Sequence, residues 1–74
     1  MKITAKLFAT LRDGRGKQLD IEIKEGASVS KALEKLSIKK TDVTIILLNG
    51  NNTGVDALLS EGDTLSIFPP VGGG

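Results

Sequence analysis

The residues at the C-terminal end of the sequence are the ones whose types and order suggest chemistry. The chain finishes with Pro69, Pro70, Val71, Gly72, Gly73 and Gly74. Proline fixes φ and has no amide hydrogen, so a strand that reaches the two prolines ends and continues as a stiff, polyproline-like arm. Glycine has no Cβ, so the last residues could enter an opening too narrow for other residue types. The reacting group of such an arm would be the carboxylate of Gly74.

The composition argues against catalysis by the chain itself. Seventy-four residues form one small domain with little room for an enclosed active site. The sequence has no Cys, His, Trp or Tyr, so acid–base chemistry would depend on lysines and carboxylates, and transition metals lose their usual ligands. We therefore expect no autonomous enzyme activity, no metal site and no bound cofactor.

Charge and hydropathy also exclude classes of partner. Ten basic and nine acidic residues are interspersed and give a net charge of +1, which does not favour binding to nucleic acid or to an anionic membrane. The longest apolar run, residues 43–48, is too short to span a bilayer, and the N-terminus lacks the apolar stretch of a signal peptide. We expect a cytoplasmic protein.

The strands are predicted from hydrophobic periodicity. Apolar and polar residues alternate in residues 2–8, around residues 19–23 and in residues 64–68, as in half-buried strands. Residues 43–48 are rich in branched side chains and predict a further strand, which ends at the Asn49-Gly50 turn.

One amphipathic helix is predicted between the strand around residues 19–23 and the strand in residues 43–48. Ser28 is a candidate N-cap for a helix of about ten residues. Residues 55–59 are compatible with a short helical turn. The apolar stripe of the main helix, at i, i+3, i+4 and i+7 spacing, consists of Val29, Ala32, Leu33 and Leu36.

These elements predict an α+β fold in which one helix covers a mixed sheet of four to five strands. If the first and last strands are parallel neighbours, the crossover between them is right-handed and the plan is the β-grasp, or ubiquitin-like, fold. We predict a β-grasp domain in residues 1–68 and an extended, flexible tail in residues 69–74.

Several short segments occur in an order that is informative. They are Lys6-Leu7-Phe8-Ala9-Thr10-Leu11-Arg12, Asn49-Gly50, Leu59, Glu61-Gly62-Asp63 and Ile67-Phe68-Pro69-Pro70-Val71. Together they resemble the MoaD-type and ThiS-type sulfur carriers, and the MoaD type most closely. The resemblance covers nearly the whole chain, including the final Gly-Gly pair. It departs from the pattern at Gly72, where many members have another residue.

The resemblance implies a function for the C-terminus. A partner adenylating enzyme of the MoeB/ThiF type would use ATP to activate the carboxylate of Gly74, and a persulfide sulfur donor would convert it to a thiocarboxylate. In the MoaD-type case, the tail enters a large MoaE-type subunit and donates sulfur to a pterin precursor, forming molybdopterin for the molybdenum or tungsten cofactor.

A partner-binding face is predicted near the base of the tail. Phe8 and Phe68 both fall in the outward phase of their strands, so they would lie together if those strands are parallel neighbours. Leu47 is a third candidate for this face. The sequence leaves open whether its strand contributes Ile45 and Leu47 or Ile46 and Leu48. An exposed apolar cluster of this kind favours a protein interface. The alternative is that one ring closes an end of the core.

The basic residues Arg12, Arg15 and Lys17 could meet an acidic partner surface. We interpret them instead as a solvated turn, and Lys39-Lys40 in the same way.

Three functions stay open from sequence alone. The first is the molybdopterin sulfur carrier, with a ThiS-type carrier for thiamine or another sulfur transfer as its close relative. The second is a ubiquitin-like modifier that is joined to lysine amines through Gly74, because both uses begin with the same acyl-adenylate. The third is a structural β-grasp domain whose tail has no role.

Overall fold

Five strands and one α-helix form the part of the chain that the computed structural model describes, residues 1–70. Two short 3-10 helices, Ala9–Arg12 and Lys40–Asp42, lie in the loops. The arrangement is the predicted α+β β-grasp fold. The strands and the helix, in chain order, are β1 Lys2–Leu7, β2 Gln18–Glu22, α1 Val29–Lys35, β3 Ile45–Leu48, β4 Asn51–Asn52 and β5 Thr64–Phe68.

The sheet order is β2-β1-β5-β3-β4, which places the last strand at the centre. Strand β5 runs parallel to β1 and antiparallel to β3, while β2 and β4 form the two edges. The parallel pairing of β1 and β5 confirms the arrangement on which the β-grasp prediction depended.

Strand β4 was not predicted, and the preceding turn explains why it forms. Asn49 and Gly50 both have positive φ, 51° and 87°, as the tight turn of a two-residue hairpin requires. The chain therefore reverses at once, and Asn51 and Asn52 pair with Leu48 and Leu47.

The core lies between the sheet and the helix. The inward residues of the strands are buried, and Ala5, Leu7, Leu65 and Ile67 have no exposed surface. The predicted helical stripe is confirmed, since all four of its residues are buried: Val29, Ala32, Leu33 and Leu36.

The start of the helix differs from the prediction in detail. Ser28 occupies the N-cap position, but its side chain makes no capping hydrogen bond. The backbone N–H of Val29 donates instead to the carbonyl of Ala57 at 2.9 Å. The segment 55–59 contains no helix, so that part of the prediction was wrong. Residues 54–57 form a hydrogen-bonded turn, in which the N–H of Ala57 donates to the carbonyl of Gly54 at 3.4 Å, and the carbonyl of Ala57 is left to cap the helix.

Arg15 ties the loop after β1 to the end of the helix. Its Nε donates to the carbonyl of Leu36 at 3.0 Å, and its terminal nitrogens donate to the carbonyls of Leu11 and Ser37 at 3.1 and 3.0 Å. The interpretation of Arg15 as a solvated turn residue was wrong. It satisfies carbonyls that the last helical turn leaves without partners.

The register of β5 is set by a hydrogen-bonded pair of turns at its start. The Asn49 amide donates to a carboxylate oxygen of Asp63 at 2.9 Å and accepts from the N–H of Thr64 at 2.9 Å. The other carboxylate oxygen of Asp63 accepts from the N–H of Ser60 at 2.7 Å. These bonds connect the β3–β4 turn to the turn that precedes β5.

We expect Leu33→Ala to lower the free energy of unfolding by about 2–5 kcal/mol, because Leu33 is 1% exposed and its loss leaves a cavity between helix and sheet. Urea denaturation followed by circular dichroism measures the change. Lys35→Ala, at an exposed position of the same helix, is the control and should change stability little. A loss below about 1 kcal/mol for Leu33→Ala would contradict the packing described here.

Arg15→Lys should destabilise the domain nearly as much as Arg15→Ala, by about 1–3 kcal/mol. Lysine keeps the charge, but its single ammonium cannot reach three separate carbonyls as the planar guanidinium does. Thermal unfolding of the two variants beside Lys17→Ala makes the comparison. If Arg15→Lys were as stable as the unsubstituted chain, the contribution of Arg15 would be its charge and not its geometry.

Candidate functional site

The base of the tail is held at the end of the central strand. The carbonyl of Phe68, the last residue of β5, accepts a hydrogen bond from the N–H of Thr44 at 2.8 Å. Pro69 is half-buried and Pro70 is exposed, so the chain leaves the domain between these two residues. Neither proline has an N–H to extend the ladder, and this ends the sheet at Phe68.

The two prolines border a small cleft of ≈ 220 Å³ near the C-terminal end of helix α1. The cleft brings them next to the loop that follows β1 and the loop that follows the helix. The other lining residues are Thr10, Leu11, Arg15, Ile38 and Asp42.

Phe8 and Phe68 stack on each other on the sheet face that the helix does not cover. Their ring centroids are 4.1 Å apart and their planes differ by 8°. Leu7 and Ile67 are register partners, so the residues that follow them lie side by side on the opposite face. The expectation that the two rings sit together is confirmed. Both are half-buried, which leaves an apolar surface open to solvent at the base of the tail.

Arg12 extends this cluster at one side. Its Nε donates to the carbonyl of Leu7 at 2.8 Å, and its guanidinium carbon lies 5.4 Å from the centroid of the Phe8 ring, within the range of a cation–π contact. This role of Arg12 was not predicted from the sequence. The four-residue spacing between Phe8 and Arg12 was the available signal, but it depends on a helical turn between them that periodicity does not reveal.

Strand β3 contributes Ile45 and Leu47 to the same face. Ile46 is buried in the core at 6% exposure, which resolves the alternative left open by the sequence. Ile45 lies directly opposite Phe68 and is 45% exposed. Leu47, the residue singled out from the sequence, lies opposite Ser66, one step farther from the rings, and is half-buried. Ile45 is therefore the nearer neighbour of the aromatic pair.

We name this surface the apolar patch. It consists of Phe8, Phe68, Ile45 and Leu47.

The described side chains form no constellation for catalysis. Residues 1–70 contain no group of three or more His, Cys, Asp or Glu residues that could hold a metal ion. They also contain no buried polar or charged residue. No helix in this region is long and apolar enough to cross a membrane. The arrangement presents a strand end and an apolar surface, and those are features of binding.

The remaining predicted site residues fall outside the described part of the chain. They are Val71, Gly72, Gly73 and Gly74. Their predicted role, including the activation of the Gly74 carboxylate, stays a prediction.

The comparison with protein families gives one match that covers nearly the whole chain. The model of the ThiS family matches residues 5–74. No curated protein sequence matches the chain significantly.

Solved structures with the same fold include carriers and modifiers. The crystal structure of SAMP1 from Haloferax volcanii has 25% identity and a TM-score of 0.83, with 100% of both chains covered. A Pyrococcus furiosus protein assigned as subunit 1 of the molybdopterin converting factor has 30% identity and a TM-score of 0.81, covering 96% of this chain and 99% of that one.

A third neighbour comes from Helicobacter pylori, where subunits 1 and 2 of the molybdopterin-converting factor are in complex. It has 22% identity and a TM-score of 0.68, with full coverage of both chains, and shows the fold.

Proposed function

The chain belongs to the ThiS family of ubiquitin-like proteins, which groups it with sulfur carriers and modifiers, and we propose that it is a sulfur carrier that acts through the carboxylate of Gly74. The observation that supports this most is the end of β5. A buried central strand stops at two prolines beside an exposed apolar patch, so the residues that follow are projected from a fixed point next to a surface suited to a protein partner.

The proposed activation takes place on a partner. An adenylating enzyme of the MoeB/ThiF type joins the Gly74 carboxylate to the AMP portion of ATP and releases pyrophosphate. The terminal sulfur of a persulfide donor then attacks the acyl-adenylate and releases AMP, which leaves the Gly74 acyl group joined to the donor through a disulfide bond. A thiol attacks that bond, forms a new disulfide with the donor and releases the C-terminal thiocarboxylate. The carrier needs no catalytic side chain of its own, which agrees with a sequence that contains neither Cys nor His.

We propose molybdopterin synthesis as the use of this sulfur. The Pyrococcus furiosus neighbour, at 30% identity over nearly the full length of both chains, is assigned to the molybdopterin converting factor. A large MoaE-type subunit would receive the tail, and a pterin precursor would accept the sulfur. A ThiS-type role in thiamine synthesis uses the same thiocarboxylate and differs only in the acceptor.

The apolar patch is the proposed contact with these partners. Phe68 and Phe8 are rigid aromatic side chains, and such residues contribute most of the binding energy in protein interfaces when they become buried. Ile45 adds aliphatic surface directly opposite Phe68. Because the patch adjoins the tail base, a partner that covers it also meets the residues after Pro70.

A modifier is the second candidate function, supported by the 25% identity to a small archaeal modifier protein, SAMP1. In that case a lysine amine of a target protein attacks the Gly74 acyl group, and an isopeptide bond forms. The activating step and the apolar patch would serve both uses, so only the product distinguishes them.

We expect Phe68→Ala to weaken binding to the adenylating enzyme by about 2 kcal/mol or more while the domain stays folded. The reason is that Phe68 stacks on Phe8 at the surface and is not part of the buried core. Isothermal titration calorimetry of the folded variant measures the loss. Ser66→Ala, on the same face of the same strand, is the matched control. Equal affinities for Phe68→Ala and Ser66→Ala would contradict a role for the patch.

Intact-mass spectrometry of the protein purified from its own cells tests the proposed chemistry. We expect a fraction whose mass is raised by the exchange of one oxygen for one sulfur, and fragmentation should place the exchange at Gly74. Deletion of Gly73 and Gly74 should abolish this fraction. An unmodified carboxylate, together with lysine-linked adducts that depend on Gly74, would favour the modifier and contradict the carrier.

A further inference from the structure

The basic residues of this chain are concentrated at one end of the domain. Ten basic and nine acidic residues give a net charge of +1, so composition alone shows no basic surface. In the folded domain, however, most basic residues lie at one end of the strands and most acidic residues lie at the other. Six of the ten basic residues lie in or beside the loops at the end from which the tail leaves. We name them the basic collar: Arg12, Arg15, Lys17, Lys35, Lys39 and Lys40.

The sheet topology explains why the collar forms around the tail base. Strands β1 and β5 are parallel, so the loop that follows β1 starts at the same end as the tail. Strand β3 is antiparallel to β5, so the loop that precedes β3 also lies there. Arg15 joins the two loops by its bonds to Leu36 and Ser37, and it borders the same cleft as Pro69 and Pro70.

Few of these charges are neutralised by neighbours. Within residues 1–70, ion pairs occur between the N-terminal amine and Glu22 and between Lys31 and Glu34, and neither involves the collar. Lys17, Lys35, Lys39 and Lys40 are all exposed. The acidic residues beside the collar are Asp13 and Asp42, since Glu34 is ion-paired with Lys31. Six basic residues therefore lie beside two acidic residues that form no ion pair within residues 1–70.

The opposite end of the domain has the reverse balance. Three lysines and the N-terminal amine give four positive charges there against five acidic residues, so the positive charge of the domain is concentrated at the tail end. The residues at that end are Lys2, Lys24 and Lys31 with Glu22, Glu25, Asp56, Glu61 and Asp63.

We propose that the basic collar binds an acidic protein surface that surrounds the opening through which the adenylating enzyme receives the tail. This inference rests on the proposed function. A field of one sign around the tail accelerates encounter with an oppositely charged surface and orients the domain with its C-terminus toward the partner. The apolar patch then provides the short-range contact.

Arg12 connects the collar to the apolar patch. Its Nε is bonded to the carbonyl of Leu7, but its two terminal nitrogens make no hydrogen bond within residues 1–70. The guanidinium is already held against Phe8, so a partner carboxylate meets a donor pair whose position is set in advance. We place this partner carboxylate at the edge of the surface that covers the Phe8 and Phe68 rings.

A protein surface fits the collar better than a nucleic acid does. The collar borders an apolar patch with two phenylalanines and an isoleucine, and such a patch is buried by contact with other apolar side chains. Asp13 and Asp42 also lie among the basic residues, where they would repel a continuous phosphate backbone. Separate carboxylates on a protein can be placed to avoid them.

The test compares two double charge reversals that change the net charge equally at opposite ends. Lys39→Glu/Lys40→Glu alters the collar, and Lys24→Glu/Lys31→Glu is the matched control at the far end. Circular dichroism establishes that both are folded. The association rate with the purified MoeB/ThiF-type adenylating enzyme of the same organism is measured by stopped flow at several NaCl concentrations. Activation of the Gly74 carboxylate by this enzyme is measured by ATP–pyrophosphate exchange.

We expect the collar variant to associate at least about tenfold more slowly than the unsubstituted chain at low salt. The difference should shrink in 0.5 M NaCl, because salt screens interactions between exposed charges. The control should associate at nearly the unsubstituted rate. Arg12→Gln should raise the dissociation rate as well, since Arg12 lies at the edge of the close contact.

Several outcomes would overturn the proposal and leave the proposed function standing. If the enzyme activates the unsubstituted chain but both reversals slow association equally, the effect is one of net charge and not of the collar. A collar variant that associates with the enzyme at the normal rate would also overturn the proposal. If that variant in addition lost the binding of a single-stranded 20-mer RNA that the unsubstituted chain binds, the collar would be a nucleic-acid site. Failure of the enzyme to activate even the unsubstituted chain would count against the proposed function itself.

Discussion

The structure depends on the position of its last strand. Strand β5 is hydrogen-bonded on both sides, by β1 and β3, and its inward residues Leu65 and Ile67 are fully buried. A strand in this position cannot shift by one residue without moving its apolar side chains to the wrong face. The point at which the chain leaves the domain is therefore fixed by the whole core, although it lies only a few residues from the C-terminus.

The rest of the domain divides into surfaces with separate tasks. The face of the sheet that packs against the helix supplies the stability of this small domain. The opposite face is free to present the apolar patch, because the core needs only one face of the sheet. The loops at the tail end hold the collar, and the side chain of Arg15 joins them in a sequence that contains no cysteine.

The elements that the sequence predicted well are those whose periodicity repeats over several turns or strand residues. The helical stripe and the alternation around Ile3 and Ile67 determine which face is buried, and the order of the strands then leads to the β-grasp plan. The stacking of Phe8 and Phe68 could also be anticipated. Both strands were predicted correctly, and the alternation along each of them places both rings on the face opposite the core.

Other features depend on contacts between distant residues and leave little local signal. The carbonyl of Ala57 caps the helix, whereas a helical turn was predicted in residues 55–59. No pattern within these residues indicates the capping contact. Arg15 resembles any loop arginine in sequence, since its three carbonyl partners come from other segments. The collar is hidden for the same reason, because its lysines and arginines are spread over nearly thirty residues and are assembled only by the topology.

The pairing of the first strand with the last has a consequence for the order of events during synthesis. Strand β1 is made before its neighbour β5, which is not complete until Phe68 has been added. Contacts between such distant segments make folding wait for the whole chain. A product that stops before β5 lacks the centre of its sheet and cannot form the core. Formation of the core is therefore coupled to the synthesis of the last strand and not to that of the first.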